Sequence, residues 1–192
     1  MKSLKPKLVL ITGLSGSGKS IALRSLEDLG YFCIDNLSPT MIIQMLGVIK
    51  KSHQKVYEKV AISIDIRSIK MDNDYQKSIA ILYAELLKLD FKSTTIFLHS
   101  SNEILLSRFN ATRRLHPLTN KKVDLRTAIL KEAEIMQKLK ENATLIIDTD
   151  KLLPLDLKKE ISSKILIIKD NKDMLIQLQS FGYKNSIPNE SD

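Results

Sequence analysis

Eight consecutive residues near the start of the chain have the types and the spacing needed to hold a polyphosphate. Phosphate oxygens must be met by several backbone N–H groups at once, which requires a tight turn free of obstructing side chains and therefore favours glycine. The segment that fits the pattern G-x-x-x-x-G-K-[ST] at every fixed position is Gly13-Leu14-Ser15-Gly16-Ser17-Gly18-Lys19-Ser20. These residues therefore predict a phosphate-binding loop, or P-loop.

Two side chains at the end of this loop add a charge and a metal ligand. Lys19 is placed to reach the β- and γ-phosphates, and the Ser20 hydroxyl to ligate Mg²⁺. Because the loop lies between an apolar strand and a stretch of helical period, the helix would direct its free N–H groups and positive dipole end at the same phosphates. We expect Lys19 to be catalytic, Ser20 to bind the metal, and the cofactor to be a nucleoside triphosphate with Mg²⁺.

A magnesium site of this kind needs a carboxylate at the end of another strand. Asp65 follows the apolar run Val60–Ile64, and Asp35 follows Tyr31–Ile34. Both side chains would project at the carboxyl edge of a parallel sheet, where such folds bind their ligands. We predict Asp65 as a metal ligand and catalytic residue. The alternative for each aspartate is a helix cap or a turn former, and for Asp35 the two interpretations weigh equally.

A basic cluster runs from Arg108 to Leu118 and includes Arg113 and Arg114 at the end of a helical stretch. A proline biases the residue before it away from helical geometry, so His116, which precedes Pro117, is expected in a loop over the nucleotide. Guanidinium groups there would clamp the transferred phosphoryl group or stabilise the charge that develops on it, and we predict Arg113 as catalytic. The alternative is a solvated basic helix end, which the helix dipole favours.

The rest of the chain supplies the elements that must position these residues. Short apolar runs alternate with longer stretches of helical period, which is typical of βαβ units. The sequence thus predicts an α/β fold of the P-loop NTPase or kinase type, with a mainly parallel sheet and helices on both faces. Strands are expected at Lys7–Thr12, Tyr31–Ile34, Val60–Ile64, Thr94–Leu98 and Thr144–Ile147, and helices at Lys19–Leu29, Pro39–Lys51, Asn73–Leu89, Asn102–Thr112 and Leu125–Glu141.

The pattern continues into the C-terminal part with a helix expected at Pro154–Ser163 and a strand at Ile165–Ile168. From Gly182 onward the chain contains turn formers and no apolar period, which is typical of a loop. We assign residues 1–170 to a nucleotide-binding domain. Residues 171–192 are expected to form a linker and the start of a truncated C-terminal domain.

Composition limits the class of protein. A chain of 192 residues fits one domain, and its 43% hydrophobic and 27% charged residues exclude wholesale disorder. The single cysteine excludes an intramolecular disulfide and is typical of a cytoplasmic protein. Every aliphatic run is shorter than the roughly 20 residues that cross a bilayer, so no membrane partner is expected. The formal charge of +8 favours anionic partners such as nucleotides or RNA.

Together these segments resemble the RapZ-type RNase adapter proteins, a bacterial family of P-loop nucleotide-binding proteins. The resemblance rests on the P-loop octet, on Leu26-Glu27-Asp28-Leu29-Gly30-Tyr31 with Asp35-Asn36-Leu37, and on Thr112-Arg113-Arg114-Leu115-His116-Pro117-Leu118. Asp65-Ile66-Arg67-Ser68 is similar to the family's second nucleotide-binding motif, and Ser180–Lys184 to the join before its C-terminal domain. Two departures are Ser38, interposed between Leu37 and Pro39, and His99, where the family commonly has an aspartate.

The resemblance implies binding of ATP and GTP with slow hydrolysis, the GTP site including Asp65, Ile66, Arg67 and Ser68. For some members it also implies an adapter role, in which a small regulatory RNA is presented to an endoribonuclease. In the family, RNA binding rests chiefly on the C-terminal domain. An RNA or RNase partner is therefore expected to act through that domain, which we expect this chain to lack, and a homo-oligomer is left open.

Two other functions also stay open. In a small-molecule kinase, Asp35 would orient or deprotonate the hydroxyl that accepts the γ-phosphate of ATP. In a direct RNA-binding protein, affinity would come from the basic surface and would fall steeply as the salt concentration rises. The chain has only five Phe and five Tyr residues and no evident aromatic–basic recognition motif, which disfavours the RNA-binding alternative.

Overall fold

Five parallel strands form one sheet in the computed structural model, which describes residues 6–52, 54–70, 74–88 and 91–168. The strands are β1 (Lys7–Gly13), β2 (Phe32–Ile34), β3 (Lys59–Ser63), β4 (Lys92–His99) and β5 (Leu145–Asp148). Their order is β2-β3-β1-β4-β5, so β1 lies between β3 and β4. Because all the strands are parallel, their carboxyl ends meet at one edge of the sheet.

Helices cover both faces of this sheet, which confirms the predicted architecture. They are α1 (Lys19–Asp28), α2 (Pro39–Lys51), α3 (Ile66–Ile69), α4 (Tyr75–Lys88), α5 (Asn102–Thr112), α6 (Leu125–Glu141) and α7 (Pro154–Ile168), with a 3-10 turn at Lys55–Glu58. Ser38, the departure noted in the sequence, is the N-cap of α2, where its hydroxyl accepts the Met41 N–H at 3.3 Å. Among the described helices, none is long and apolar enough to span a membrane.

The central strand divides the interior into two hydrophobic cores, because successive side chains of a strand point to opposite faces. Leu8 and Leu10 of β1 belong to the core that includes side chains of α2, α4, α5 and α6. Val9 and Ile11 belong to the core formed with α1 and α7. Burial on both faces explains why the strand is a continuous apolar run, as is usual in parallel sheets.

One predicted element is wrong: Ile165–Ile168 is the last turn of α7 and not a strand. Leu157, Ile161 and Ile165 are spaced four residues apart and are all buried in the core beneath α1, so the helical period continues through the β-branched run. The helix predicted at Pro154–Ser163 is confirmed but ends five residues later, at Ile168, and the other predicted strands and helices are confirmed to within about two residues. The ends of the helix predicted at Asn73–Leu89 and the segment 171–192, including Ser180–Lys184, lie outside the described residues.

Two glycines of this fold should respond in opposite ways to replacement by alanine. A Cβ on Gly13 (φ +139°) would lie 2.2 Å from the Leu98 carbonyl oxygen of β4, so Gly13→Ala should lower the free energy of unfolding by about 3 kcal/mol. A Cβ on Gly47, inside α2, would meet no atom within 4 Å. Gly47→Ala should therefore raise that free energy by about 0.5–1 kcal/mol. Urea denaturation measures both, and a neutral Gly13→Ala would contradict the close approach of β1 to β4.

Candidate functional site

The P-loop connects β1 to α1 and forms one wall of a cavity of about 520 Å³ at the carboxyl edge of the sheet. Three of its residues, Gly13, Gly16 and Gly18, have positive φ angles of 139°, 86° and 104°, which explains the glycines of the motif. Residues 15–20 line the cavity. Gly13 and Leu14 do not line it, and they contribute carbonyl oxygens to the inside of the loop.

The backbone amides of this loop fall into two groups. Ser17 N–H donates to the Leu14 carbonyl oxygen at 3.1 Å, and Ser15 N–H donates to the side chain of Glu132. Among the cavity-lining residues of the loop, Gly16, Gly18, Lys19 and Ser20 have backbone N–H groups that donate to no protein acceptor within the described part of the chain. Unpaired N–H groups at the start of a helix are an anion-binding arrangement. We call these four amides the amide cradle.

Lys19 lies inside the loop and not in solvent. Its side chain is only 8% exposed, and its Nζ donates to the carbonyl oxygens of Gly13 at 2.8 Å and Leu14 at 3.0 Å. The same Nζ lies 3.4 Å from Oδ2 of Asp65, at the end of β3. The ammonium group is thus positioned beside the amide cradle, with a carboxylate as its partner.

Asp65 is both a helix cap and a charged wall of the cavity. Its Oδ1 accepts the Arg67 backbone N–H at 3.0 Å and the Arg67 Nε–H at 2.9 Å, while the side chain is almost fully buried. Burial alone would raise the pKa of Asp65, but the Lys19 ammonium and the bonds from Arg67 outweigh burial and hold that pKa below its usual value. The carboxylate is therefore ionised and already bonded to two cationic side chains.

Arginines close the opposite side of the cavity. Arg108 of α5 donates from Nη1 to the Gly16 carbonyl oxygen at 3.1 Å and to Oγ1 of Thr149 at 3.2 Å, and its Nη2 donates to the Thr149 carbonyl oxygen. Arg114 also lines the cavity. Arg108 thus ties the P-loop to the segment that follows β5.

Comparison with known proteins gives the family. The sequence profile of the RapZ-like N-terminal domain matches residues 6–169. The chain belongs to this family. A "Nucleotide-binding protein" of Shewanella baltica is 40% identical over 186 residues, covering 97% of this chain and 62% of the relative. A "Nucleotide-binding protein" of Pseudoalteromonas atlantica is 39% identical, covering 97% and 63%. The chain thus spans less than two thirds of the length of these relatives.

Solved structures confirm the fold of this RapZ-like domain. Shikimate kinase from Acinetobacter baumannii, in complex with shikimate, superposes with a TM-score of 0.56 at 18% sequence identity, covering 88% of this chain and 96% of that one. Shikimate kinase from Bacteroides thetaiotaomicron gives a TM-score of 0.53 at 13% identity, covering 84% and 98%. At these identities the similarity establishes the P-loop kinase-like fold and nothing about the substrate.

The residues predicted to hold Mg²⁺ fit such an ion in this RapZ-like domain. Ser20 lines the cavity with an exposed hydroxyl at the start of α1, and Asp65 lines it with a carboxylate. Both are oxygen ligands of the kind that Mg²⁺ prefers, and the ion usually takes its other ligands from phosphates and water. The described residues contain no group of three or more His, Cys, Asp or Glu side chains that could hold a metal ion.

The motif Asp65–Ser68 divides between the cavity and the core. Asp65 and Arg67 line the cavity, whereas the side chains of Ile66 and Ser68 are fully buried away from it. The Ser68 hydroxyl donates to the Asp65 carbonyl oxygen at 2.7 Å and accepts the Asp65 N–H at 3.2 Å. Ile66 and Ser68 therefore shape the turn that presents the other two side chains.

The predicted basic cluster is only partly at the cavity. Arg113 ends α5 with a left-handed backbone (φ +52°) and is not among the lining residues, whereas its neighbour Arg114 is. His116 lies in a loop, as predicted, and its neighbours Leu115 and Pro117 line the cavity, but His116 itself does not. Its ring is 2% exposed and points into the interior, where Nε2 lies 2.8 Å from Oε2 of Glu132.

Sequence reasoning missed Glu132, which is fully buried on α6 and bonded to Ser15 of the P-loop. A signal was present, because Glu132 occupies the apolar face of α6 together with the buried residues Ala128, Ile129 and Met136. An acidic residue on the buried face of an amphipathic helix needs hydrogen-bond partners, and that need marks it as a candidate site residue.

The depressed pKa of Asp65 predicts an acid-dependent contribution to stability. Above the pKa of an unfolded aspartate, about 3.9, the contribution is fully present, and it is lost as the pH falls through the lower folded value. Asp65→Asn should therefore lower the free energy of unfolding by about 2 kcal/mol at neutral pH. The difference from the wild type should shrink as the pH is lowered through the acid range, as urea titrations at several pH values would measure.

Asp28→Asn is the matched control, since Asp28 forms an exposed ion pair with Lys158 at 2.6 Å. It should change the free energy of unfolding by less than about 1 kcal/mol. If the two variants had equal effects at neutral pH, the assignment of a stabilising buried charge to Asp65 would be refuted.

Proposed function

We propose that this domain binds ATP and GTP with Mg²⁺, hydrolyses them slowly and acts as a nucleotide-responsive regulatory module in the cytoplasm. The observation that carries the proposal is the amide cradle with the Lys19 ammonium beside it. Four unpaired N–H groups and a cation provide both the hydrogen bonds and the charge that a polyphosphate requires. The name "Nucleotide-binding protein" of relatives that are 39–40% identical supports the same function.

The cavity is large enough for a nucleotide and has both polar and apolar walls. Its lining includes the amide cradle with Lys19 and the apolar side chains of Leu152, Leu153, Pro154 and Leu157, the last of which lies against Gly18. Small-molecule sites of about 300–1,000 Å³ typically combine an apolar wall with a few polar groups. We place the phosphates at the amide cradle and the rest of the nucleotide against the apolar side chains.

The charges around the cavity favour tight binding over fast chemistry. Asp65 is the only carboxylate among the described lining residues, and it is held by Lys19 and Arg67. A general base must be free to accept a proton from the attacking water or hydroxyl. Because no such group faces the cavity, hydrolysis should be slow.

Arginine side chains supply the charge that would stabilise a departing phosphoryl group. Arg114 lines the cavity and is better placed for this role than Arg113, which would have to turn towards the cavity to act. When bound, Mg²⁺ would neutralise phosphate charge, and Ser20 and Asp65 are the proposed protein ligands.

The kinase alternative is less well supported by the geometry. Asp35, the proposed acceptor base, is exposed and does not line the cavity, although it acts electrostatically on Arg67. A screen of sugars and nucleosides as phosphoryl acceptors separates the two functions. Hydrolysis without transfer is expected, whereas transfer to any of these acceptors would favour the kinase.

A further part of the proposal is the RNase adapter role that the RapZ resemblance implies. We propose that nucleotide binding here controls how a partner, RNA or an RNase, is engaged through regions beyond the described residues. Direct RNA binding by the basic surface would instead be independent of Lys19 and would weaken steeply with salt.

Replacing Lys19 tests the proposal. Lys19→Ala should weaken binding of Mg²⁺–ATP and Mg²⁺–GTP by at least about a hundredfold, because a charge-assisted contact to the β- and γ-phosphates is lost in a mostly buried site. Isothermal titration calorimetry measures both affinities. Lys51→Ala, at the exposed end of α2, is the matched control and should bind like the wild type. Equal affinities for Lys19→Ala and the wild type would defeat the proposed function.

A further inference from the structure

A buried polar chain connects the P-loop to the loop that follows α5. Glu132 accepts the Ser15 N–H with both carboxylate oxygens at 3.0 Å, and its Oε1 also accepts the Ser15 hydroxyl at 2.8 Å. Its Oε2 lies 2.8 Å from Nε2 of His116. The Leu118 N–H donates to Nδ1 of the same ring at 3.1 Å. Three segments, namely the P-loop, the loop after α5 and helix α6, thus meet at one carboxylate.

The hydrogen bonds define which groups donate and which accept in this buried polar chain. Because Nδ1 of His116 accepts the Leu118 N–H, the ring is neutral and carries its proton on Nε2, which donates to Glu132. Within the described residues, Glu132 therefore receives hydrogen bonds from an amide, a hydroxyl and an imidazole. Its partners are matched to an acceptor with two oxygens, which an amide side chain would not provide.

The bond from Glu132 fixes the orientation of one peptide group of the P-loop. In a planar trans peptide the C=O and the N–H point in opposite directions, and no cis peptide occurs among the described residues. Since the Ser15 N–H points to Glu132, the Leu14 carbonyl oxygen points into the loop, where it accepts from Lys19 Nζ at 3.0 Å and from Ser17 N–H at 3.1 Å. Glu132 thereby directs the carbonyl group that holds Lys19.

The same peptide group precedes the amide cradle. Gly16, the first residue of the cradle, packs against Phe109 of α5, because a Cβ on Gly16 would lie 3.3 Å from Phe109 Cε2. Phe109 in turn contacts the His116 ring, with ring centroids 5.1 Å apart. The outer side of the P-loop is therefore held by Glu132, His116 and Phe109, none of which is needed to touch a phosphate.

We propose that Glu132, held by His116, is a positioning residue that sets the P-loop for polyphosphate binding by fixing the Leu14–Ser15 peptide. The inference rests on the proposed nucleotide-binding function and assigns the control of the amide cradle to a residue outside the P-loop motif. In this inference His116 holds Glu132 in place from the interior side of the P-loop.

Glu132→Gln tests this inference because it keeps the volume of the side chain but replaces one acceptor oxygen with an NH₂ donor. That donor would meet the N–H of His116 or the groups of Ser15. The affinity for Mg²⁺–ATP should fall by about tenfold or more, since buried donors lose their partner. The affinity for inorganic triphosphate with Mg²⁺ should fall by the same factor, because only phosphate contacts are affected. Calorimetry measures both ligands, and circular dichroism checks that the variant is folded.

Glu134→Gln is the matched control, because Glu134 lies on the exposed side of the same helix. It should bind both ligands like the wild type. Wild-type affinity in Glu132→Gln would overturn the inference, as would a loss for ATP without a loss for inorganic triphosphate, which would indicate a general loosening of the cavity. Failure of the wild type itself to bind, or binding that survives Lys19→Ala, would instead refute the proposed function.

If Glu132→Gln does not fold, two variants of His116 decide the question. His116→Gln keeps an N–H donor for Glu132 and should bind both ligands within about twofold of the wild type, whereas His116→Leu removes the donor and should bind at least about fivefold more weakly. Equal affinities in these two variants would overturn the inference.

Discussion

An amide cradle can bind an anion only if its N–H groups stay unpaired. Unpaired amides cost free energy, and they would pair with other acceptors unless the structure around the loop prevented it. The contacts around the P-loop meet that constraint. Gly13 brings β1 against β4 so closely that a side chain would not fit. Arg108 binds the Gly16 carbonyl oxygen from one side, and Glu132 binds the Ser15 amide from behind. Arg108 and Glu132, which hold the loop from outside, are not part of the P-loop motif.

The charges of the site suit binding better than catalysis. Lys19, Asp65 and Arg67 form one connected group in which the carboxylate is shared between two cations. Such a group leaves a net positive charge for phosphates while occupying the one carboxylate that faces the cavity in the described part of the chain. This charge distribution fits the proposed function, in which the domain binds a nucleotide and hydrolyses it slowly.

The sequence allowed the fold and the centre of the site to be predicted, because the P-loop motif and the alternation of strands and helices are local patterns. Asp65 could be predicted for the same reason, because it directly follows an apolar run that reads as a strand. Glu132 was missed although its place on the apolar face of α6 was a signal, because the contacts that give it a role are tertiary: its partners Ser15 and His116 lie 117 and 16 residues away. The last turn of α7 was misassigned because Ile165–Ile168 has the composition of a strand, while the contacts that make it helical are tertiary.

The most direct test of the central claim is a nitrogen–proton NMR titration of the backbone amides with Mg²⁺ and a non-hydrolysable ATP analogue. The account predicts that the largest shifts occur at the four cradle amides of Gly16, Gly18, Lys19 and Ser20, while the Ser15 amide, already bonded to Glu132, moves less. Saturable binding whose largest shifts lie on another surface, with the cradle amides unmoved, would contradict it.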